Sequence, residues 1–201
     1  MKLIIISGPS GSGKTTLSKI ILNEFSDGLA LNTDNYYRTG ILSKLLSKLI
    51  DCYFDRKISF NYKLFKKDFD FASKYEKLNH SYIYDFKTKT INKYIKETTN
   101  IKYLIIEGIF TNVLLKDLRK QKFLHLELKT DKESCLKRIL YRDIRERGKT
   151  ENKARRQFLK SWNLYYRKNK KFYKKFSTYQ TIYEDKEDID LILKRISNLI
   201  N

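Results

Sequence analysis

Residues 8–15 read Gly-Pro-Ser-Gly-Ser-Gly-Lys-Thr, directly behind an unbroken apolar run. Three of the chain's seven glycines fall in this stretch. A loop this small and polar has nothing of its own to bury, so its shape must answer to something else. Every defined position fits G-x-x-x-x-G-K-[ST]. Glycines let the backbone close into a concave ring whose N–H groups point inward, a nest for phosphate oxygens. The helix that should follow aims its positive dipole end at the same spot. Gly8, Ser10, Gly11, Ser12, Gly13, Lys14, Thr15 and Thr16 are therefore expected to hold a nucleoside triphosphate, ATP or GTP. Lys14 supplies a mobile charge for the β- and γ-phosphates, and the Thr15 hydroxyl a ligand for Mg²⁺ bridging them. The loop lacks G-x-G-x-x-G, so Asp34 is not the ribose-binding acid of a dinucleotide fold.

The rest of the chain tells what surrounds the loop. Residues 3–7 read as a buried strand, and Leu17, Ile20, Ile21 and Phe25 recur at helical spacing, so a helix should start near Lys14. Residues 28–37 read as a second short strand ending at Asp34. Residues 103–108, 123–128 and, more weakly, 181–183 read as three more, with helices in the gaps, among them the segments around Cys135–Leu140 and 189–200. Short apolar strands alternating with amphipathic helices imply a parallel sheet covered on both faces, with ligands at the carboxyl ends of the strands. The expected architecture is a three-layer α/β nucleotide-binding fold of about five strands, one domain over residues 1–201. Leu42, Leu45, Leu46 and Leu49 predict a helix. The stretch beyond it mixes aromatics and lysines without clear periodicity, and residues 40–83 are expected to be an insertion lying over the acceptor side.

The net charge of +20 admits two readings. One is attraction of a nucleic acid or an anionic substrate. The other is compositional drift, because the chain is rich in Lys, Asn, Ile, Tyr and Phe and its lysines are spread throughout. No recognised nucleic-acid motif accompanies the charge, and steep salt dependence would be its signature. The apolar runs are far shorter than a membrane span. The start Met1-Lys2 shows no signal-peptide pattern, and Cys52 and Cys135 have no metal-ligand spacing. A cytoplasmic protein without membrane or nucleic-acid partners is expected, and a homo-oligomer is compatible with the sequence.

A bound triphosphate raises the question of what receives its phosphoryl group. A hydroxyl acceptor needs a nearby acid to orient it and take its proton. Asp34 stands at a strand end beside the loop and is the candidate base, with helix capping as its ordinary role. Glu107 ends the apolar run "LIIEG" and is expected to support the Mg²⁺ shell or to reach the acceptor. In "RILYRDIRERGKT" (138–150), Arg138, Arg142 and Arg145 share a helical face, and residues 138–167 are expected to form a lid carrying cations to the transferring phosphoryl group. A solvated basic helix laced with Asp143 and Glu146 is the alternative.

In order along the chain, "GPSGSGKTT" (8–16), "DNYYR" (34–38), "YDFKT" (84–88), "IIEGI" (105–109), "RILYRDIRERGKT" (138–150) and Gln157 resemble the uridine kinase family, within the phosphoribulokinase/uridine kinase group of P-loop kinases. The resemblance implies phosphorylation of the 5′-hydroxyl of uridine or cytidine. It implies Asp34 as base, Tyr37 and Tyr84 near the nucleoside, and Arg142, Arg147 and Gln157 at the lid or substrate. Where the family has a histidine and an arginine after "YDF", this chain has Lys89 and Ile91. A kinase for another hydroxyl acceptor, such as a sugar phosphate or cofactor precursor, stays open, as does an ATP-binding nucleic-acid protein.

Overall fold

The computed structural model describes residues 1–114, 118, 123–173, 180–183 and 189–200. A parallel sheet runs through the middle, with strands β1 (Lys2–Ser7), β2 (Gly28–Asn32), β5 (Tyr103–Glu107), β6 (Leu124–Leu128) and β7 (Gln180–Tyr183). Their spatial order is β2-β5-β1-β6-β7, and every pairing is parallel. Central β1 pairs with β5 from Lys2↔Tyr103 to Ile6↔Glu107 and with β6 from Ile4↔Leu124 to Ser7↔Glu127. The carboxyl ends of β1, β2 and β5 are therefore level.

Side chains alternate across a strand, so β1 feeds two cores. Leu3 and Ile5 face a cluster with Leu104, Ile106, Phe65, Phe69, Tyr37 and Tyr84. Ile4 and Ile6 face the other, with Leu17, Ile21, Ile105, Leu126, Ile192 and Ile196. The second core is closed by α1 (Lys14–Glu24) and α7 (Ile189–Ile200). Each fully buried isoleucine contributes roughly 1.5–3 kcal/mol, which anchors the strand that carries the loop in both cores. A short helix α4 (Thr111–Leu114) follows β5, and a third cluster joins α5 (Lys132–Arg145) to α6 (Glu151–Tyr173) through Cys135, Ile139 and Phe158.

The five parallel strands and the helix beginning at Lys14 agree with the sequence reading. The second strand is shorter than expected: it stops at Asn32, and Asp34 sits in a 3₁₀ turn, Thr33–Asn35. The Asn32 side chain accepts from the Asp34 backbone N–H, so Asn32 does the capping and the Asp34 carboxylate is left for other work.

Residues 40–83 are more regular than their sequence promised. Helix α2 (Ile41–Leu49) forms where the leucines predicted it. A second helix, α3 (Tyr62–Tyr75), begins at Asn61, whose side chain caps Leu64, and buries Phe65, Asp68, Phe69 and Ala72 on one face. That stripe was obscured by lysines at the intervening positions. An antiparallel hairpin of β3 (Leu78–Asp85) and β4 (Thr90–Thr98) stands apart from the main sheet. Its turn passes through Lys89, held in the left-handed region at φ 58°. The hairpin was not foreseen, because helices were expected in every gap between strands.

Candidate active site

The loop of residues 8–13 leaves β1 and enters α1 at its first turn. Helix geometry leaves the first N–H groups of α1 without partners inside the helix, at the end where the loop joins it. Gly11 shows why a side chain is excluded: φ is +85°, and a Cβ would lie 2.6 Å from the Cys135 carbonyl oxygen. The buried Ser12 backbone carbonyl accepts from the Thr130 hydroxyl at 2.9 Å, and the Gly11 carbonyl from Arg138 at 3.2 Å, so neighbouring elements fix the loop from outside.

Lys14 is only 7 % exposed. Its Nζ donates to the Gly8 and Pro9 carbonyls at 3.0 and 2.8 Å. Burial pushes its pKa below the ordinary lysine value, partly offset by the carboxylates of Glu107 and Asp34. Glu107 is 2 % exposed. Burial pushes its carboxyl up to about 7, with Lys14 opposing the rise and Asp34 adding to it. Its Oε1 accepts from Thr15 Oγ1 at 2.8 Å. One lysine, one hydroxyl and two carboxylates thus converge at the level ends of β1, β2 and β5.

Gly108 lets Asp34 approach so closely. Its φ is +129°, and a Cβ there would lie 2.0 Å from Thr33 Oγ1 and 3.3 Å from Asp34 Oδ1. Asp34 Oδ1 is buried and among the described residues has no hydrogen-bond partner. A buried carboxylate oxygen left this way carries a desolvation cost that a ligand's hydroxyl would relieve.

A cleft of about 830 Å³ opens in front of Asp34. Its walls come from six separate stretches: Ser10 of the loop, and on the acceptor side Asp34 and Tyr37, residues 47–55, residues 86–89, Ile109 and residues 139–161. Tyr37 is buried, 2 % exposed, with its ring 4.8 Å from Tyr84, 5.2 Å from Phe54 and 5.9 Å from Phe86. Burial and the nearby Asp34 carboxylate push its phenol well above the usual value. Tyr84 does not line the cleft: it stands behind Tyr37, 4 % exposed, with its hydroxyl buried and unpartnered among the described residues. Gln157 is exposed on α6 and faces the cleft.

The arginines divide. Arg142 and Arg147 line the cleft; Arg142 lies within electrostatic range of Lys14, and Arg147 of Asp34 and Tyr37. Arg138 holds the loop. Arg145 turns outward onto the Tyr141 ring, its guanidinium 4.4 Å from the centroid, so the three residues expected to share one task do not. Asp143 is 3 % exposed and does not lace a solvated face.

Sequence reasoning placed residues 51–55 only within the 40–83 insertion expected over the acceptor side and singled out none of them. Asp55 accepts from the Ser161 hydroxyl at 2.7 Å and Asp51 from Lys160 at 2.6 Å, which joins this segment to α6 across the cleft. Lys89, where the family has a different residue, reaches Ser47 Oγ at 2.9 Å and lies over the Phe54 ring at 5.9 Å. Ile91 packs against the core beside Tyr84's strand. The aromatic density around "YFD" and "YDF" was the available signal. Among the described residues no three His, Cys, Asp or Glu side chains gather as a metal cage, and no helix is long and apolar enough to cross a membrane.

The chain is similar to known proteins over most of its length. The family model for phosphoribulokinase and uridine kinase matches residues 3–197. A uridine kinase of Borrelia duttonii is 31 % identical over 174 residues, covering 83 % of this chain and 80 % of that protein. A uridine kinase of Clostridium novyi is 31 % identical over 162 residues, covering 78 % and 75 %. Among solved structures, one from Silicibacter sp. TM1040, described as a fructose transport system kinase, superposes with a TM-score of 0.61 at 20 % identity over 78 % of each chain. That likeness supports the fold.

Proposed function

The chain belongs to the phosphoribulokinase/uridine kinase family, a group of nucleotide-dependent kinases, and on that premise we propose that it moves the γ-phosphoryl group of ATP to the 5′-hydroxyl of uridine or cytidine. The observation that carries the reading is the convergence of Lys14, the Thr15–Glu107 pair and the orphaned Asp34 oxygen at one point, where the cleft begins.

The residues divide the work as follows. Loop amides and Lys14 hold the β- and γ-phosphates. Asp34 accepts the proton of the acceptor hydroxyl as its oxygen attacks phosphorus and the bond to the bridging oxygen breaks, releasing the nucleoside diphosphate. Arg142 and Arg147 stabilise the charge spread over the transferring oxygens. Tyr37 and Gln157 border the acceptor, with Tyr84 bracing Tyr37 from behind. The hard-oxygen donors Thr15 and Glu107 suit Mg²⁺, and the burial of Glu107, only partly offset by Lys14 and Thr15, fits a nearby cation. Thr15 would hold the ion directly and Glu107 through water. When bound, Mg²⁺ neutralises phosphate charge.

A second reading, an acceptor that itself carries phosphate, is favoured by Lys48, Lys87, Lys89 and Lys153 along the cleft wall. Release of ADP, coupled to a spectroscopic readout and screened over nucleosides and sugar phosphates, separates the two. Turnover with uridine or cytidine and none with sugar phosphates is expected, and the reverse would overturn the nucleoside assignment. Asp34→Asn should keep nucleotide binding and lower kcat by roughly 10²–10⁴-fold, and near-normal turnover would remove Asp34 from the base role.

A further inference from the structure

The cleft places two arginines and a lysine side by side, an arrangement that repels itself. Arg142, Arg147 and Lys149 all line the same wall. Between them sits a single carboxylate. Arg142 donates from Nε and Nη2 to Asp143 Oδ1 at 3.0 and 2.9 Å. Arg147 Nη1 lies 3.3 Å from the same oxygen. Lys149 Nζ donates to Oδ2 at 2.6 Å, and the Lys149 backbone N–H donates to the Asp143 carbonyl at 3.0 Å. The Asp143 side chain is 4 % exposed, while the three cations keep 18–34 % of their surface in contact with solvent. The carboxylate is therefore the buried hub, and the cations project from it.

Arg147 is held on a second side. Its guanidinium carbon stands 3.7 Å from the centroid of the Phe86 ring, which belongs to the tip of the β3–β4 hairpin and packs against Tyr37 and Tyr84. A planar guanidinium gripped by a carboxylate at one edge and an aromatic face at the other has little rotational freedom. Burial opposes charge on Asp143, yet its hydrogen bond from Lys149 and the surrounding arginines keep its pKa below the usual carboxylate value.

We propose that Asp143 is a positioning residue: it gathers Arg142, Arg147 and Lys149 into one cationic wall and aims the two arginines at the phosphoryl group transferred beside Lys14 and Asp34. This deepens the kinase reading and rests on the roles given to Arg142 and Arg147. Asp143 touches no reacting atom. Without it, the cations would repel and swing into solvent, and the transition state would lose pre-organised charge while ground-state nucleotide binding on the loop persisted.

A double-mutant cycle tests it, with ADP release in the presence of uridine as the readout. Asp143→Asn should lower kcat by roughly 10²-fold and change the KM for ATP by less than about 3-fold. In an Arg142→Ala/Arg147→Ala background the same substitution should cost less than about 3-fold, since the groups it aims are gone. Asp143→Glu keeps the charge and displaces it by one methylene. It should lose roughly 3–10-fold in kcat at an unchanged melting temperature, and it carries the test if Asp143→Asn does not fold. Equal losses from Asp143→Asn in both backgrounds, or unaltered kcat in Asp143→Glu, would assign Asp143 to structure alone. Full turnover in the double-arginine variant would instead overturn the arginine roles, and the aiming role with them. An impaired double-arginine variant beside a fully active Asp143→Asn would overturn Asp143 and leave the kinase reading standing.

Discussion

The two sides of the cleft are built on different plans. The phosphate side is contiguous: six loop residues between one buried strand and one helix, with glycines where φ is positive, and the helix's first residue a lysine folded against the loop's own carbonyls. The acceptor side is a mosaic of five stretches separated by tens of residues, joined by aromatic stacking and side-chain hydrogen bonds. A phosphate is recognised largely by backbone amides, which every residue but proline possesses, so conformation more than side-chain identity is constrained there. An acceptor is recognised by side chains, which different segments can supply. The contiguous half should therefore be brittle, and the mosaic half replaceable piece by piece.

The largest expected effect tests brittleness. Lys14→Ala should lower kcat by roughly 10²–10³-fold and weaken triphosphate binding, whichever acceptor is supplied. Titration with nucleotide and the ADP-release rate measure both. Unchanged affinity and rate would show that the loop is not the phosphate site, and the contrast between the halves would dissolve.

The same contrast explains what was legible in the sequence. The loop of residues 8–16, the sheet and the positions of the strand ends could be read because each rests on a local pattern: a glycine spacing, an apolar run, a period. Asp34 and Glu107 were singled out because strand ends are where such a fold gathers ligands, and the structure brings both within electrostatic range of Lys14. The α3 stripe at Phe65, Phe69 and Ala72 was hidden by lysines that stay on the solvent face. The hairpin was hidden because β4 has almost no buried side chain to impose a two-residue period. The 51–55 segment carries no repeat at all; only tertiary contact with α6 places it at the cleft. Arg138, Arg142 and Arg145 share a helical face by arithmetic, but the packing of α5 against the loop and α6 decides which of them reaches the site.

A moderate effect tests separability. Gln157 stands on α6, exposed and facing the cleft, away from the loop. Gln157→Ala should raise the acceptor KM by roughly 3–30-fold, the loss of one or two hydrogen bonds, and leave the KM for ATP unchanged. Parallel changes in both constants would mean that α6 closes on nucleotide and acceptor together and that the mosaic half is not independent.

The smallest effect concerns the seam. Glu107 serves the phosphate side through Thr15 and stands within electrostatic range of Asp34 on the acceptor side. Its carboxyl lies at about 7, above the ordinary 4.5, so between those values the folded chain holds a proton that the unfolded chain has lost. Stability from this group is full below 4.5 and falls as pH rises through about 7. The charged form costs on the order of 3 kcal/mol at high pH, which a neutral isostere avoids. Glu107→Gln should then raise the melting temperature of the nucleotide-free protein by a few degrees at pH 8 and hardly at all at pH 4, measured by calorimetry at both. It should also slow turnover, because the same burial that destabilises the free protein prepares the site for a cation. An equal gain at both pH values would mean that Glu107 titrates in the folded chain as it does in the unfolded one, and the seam would belong to the phosphate half alone.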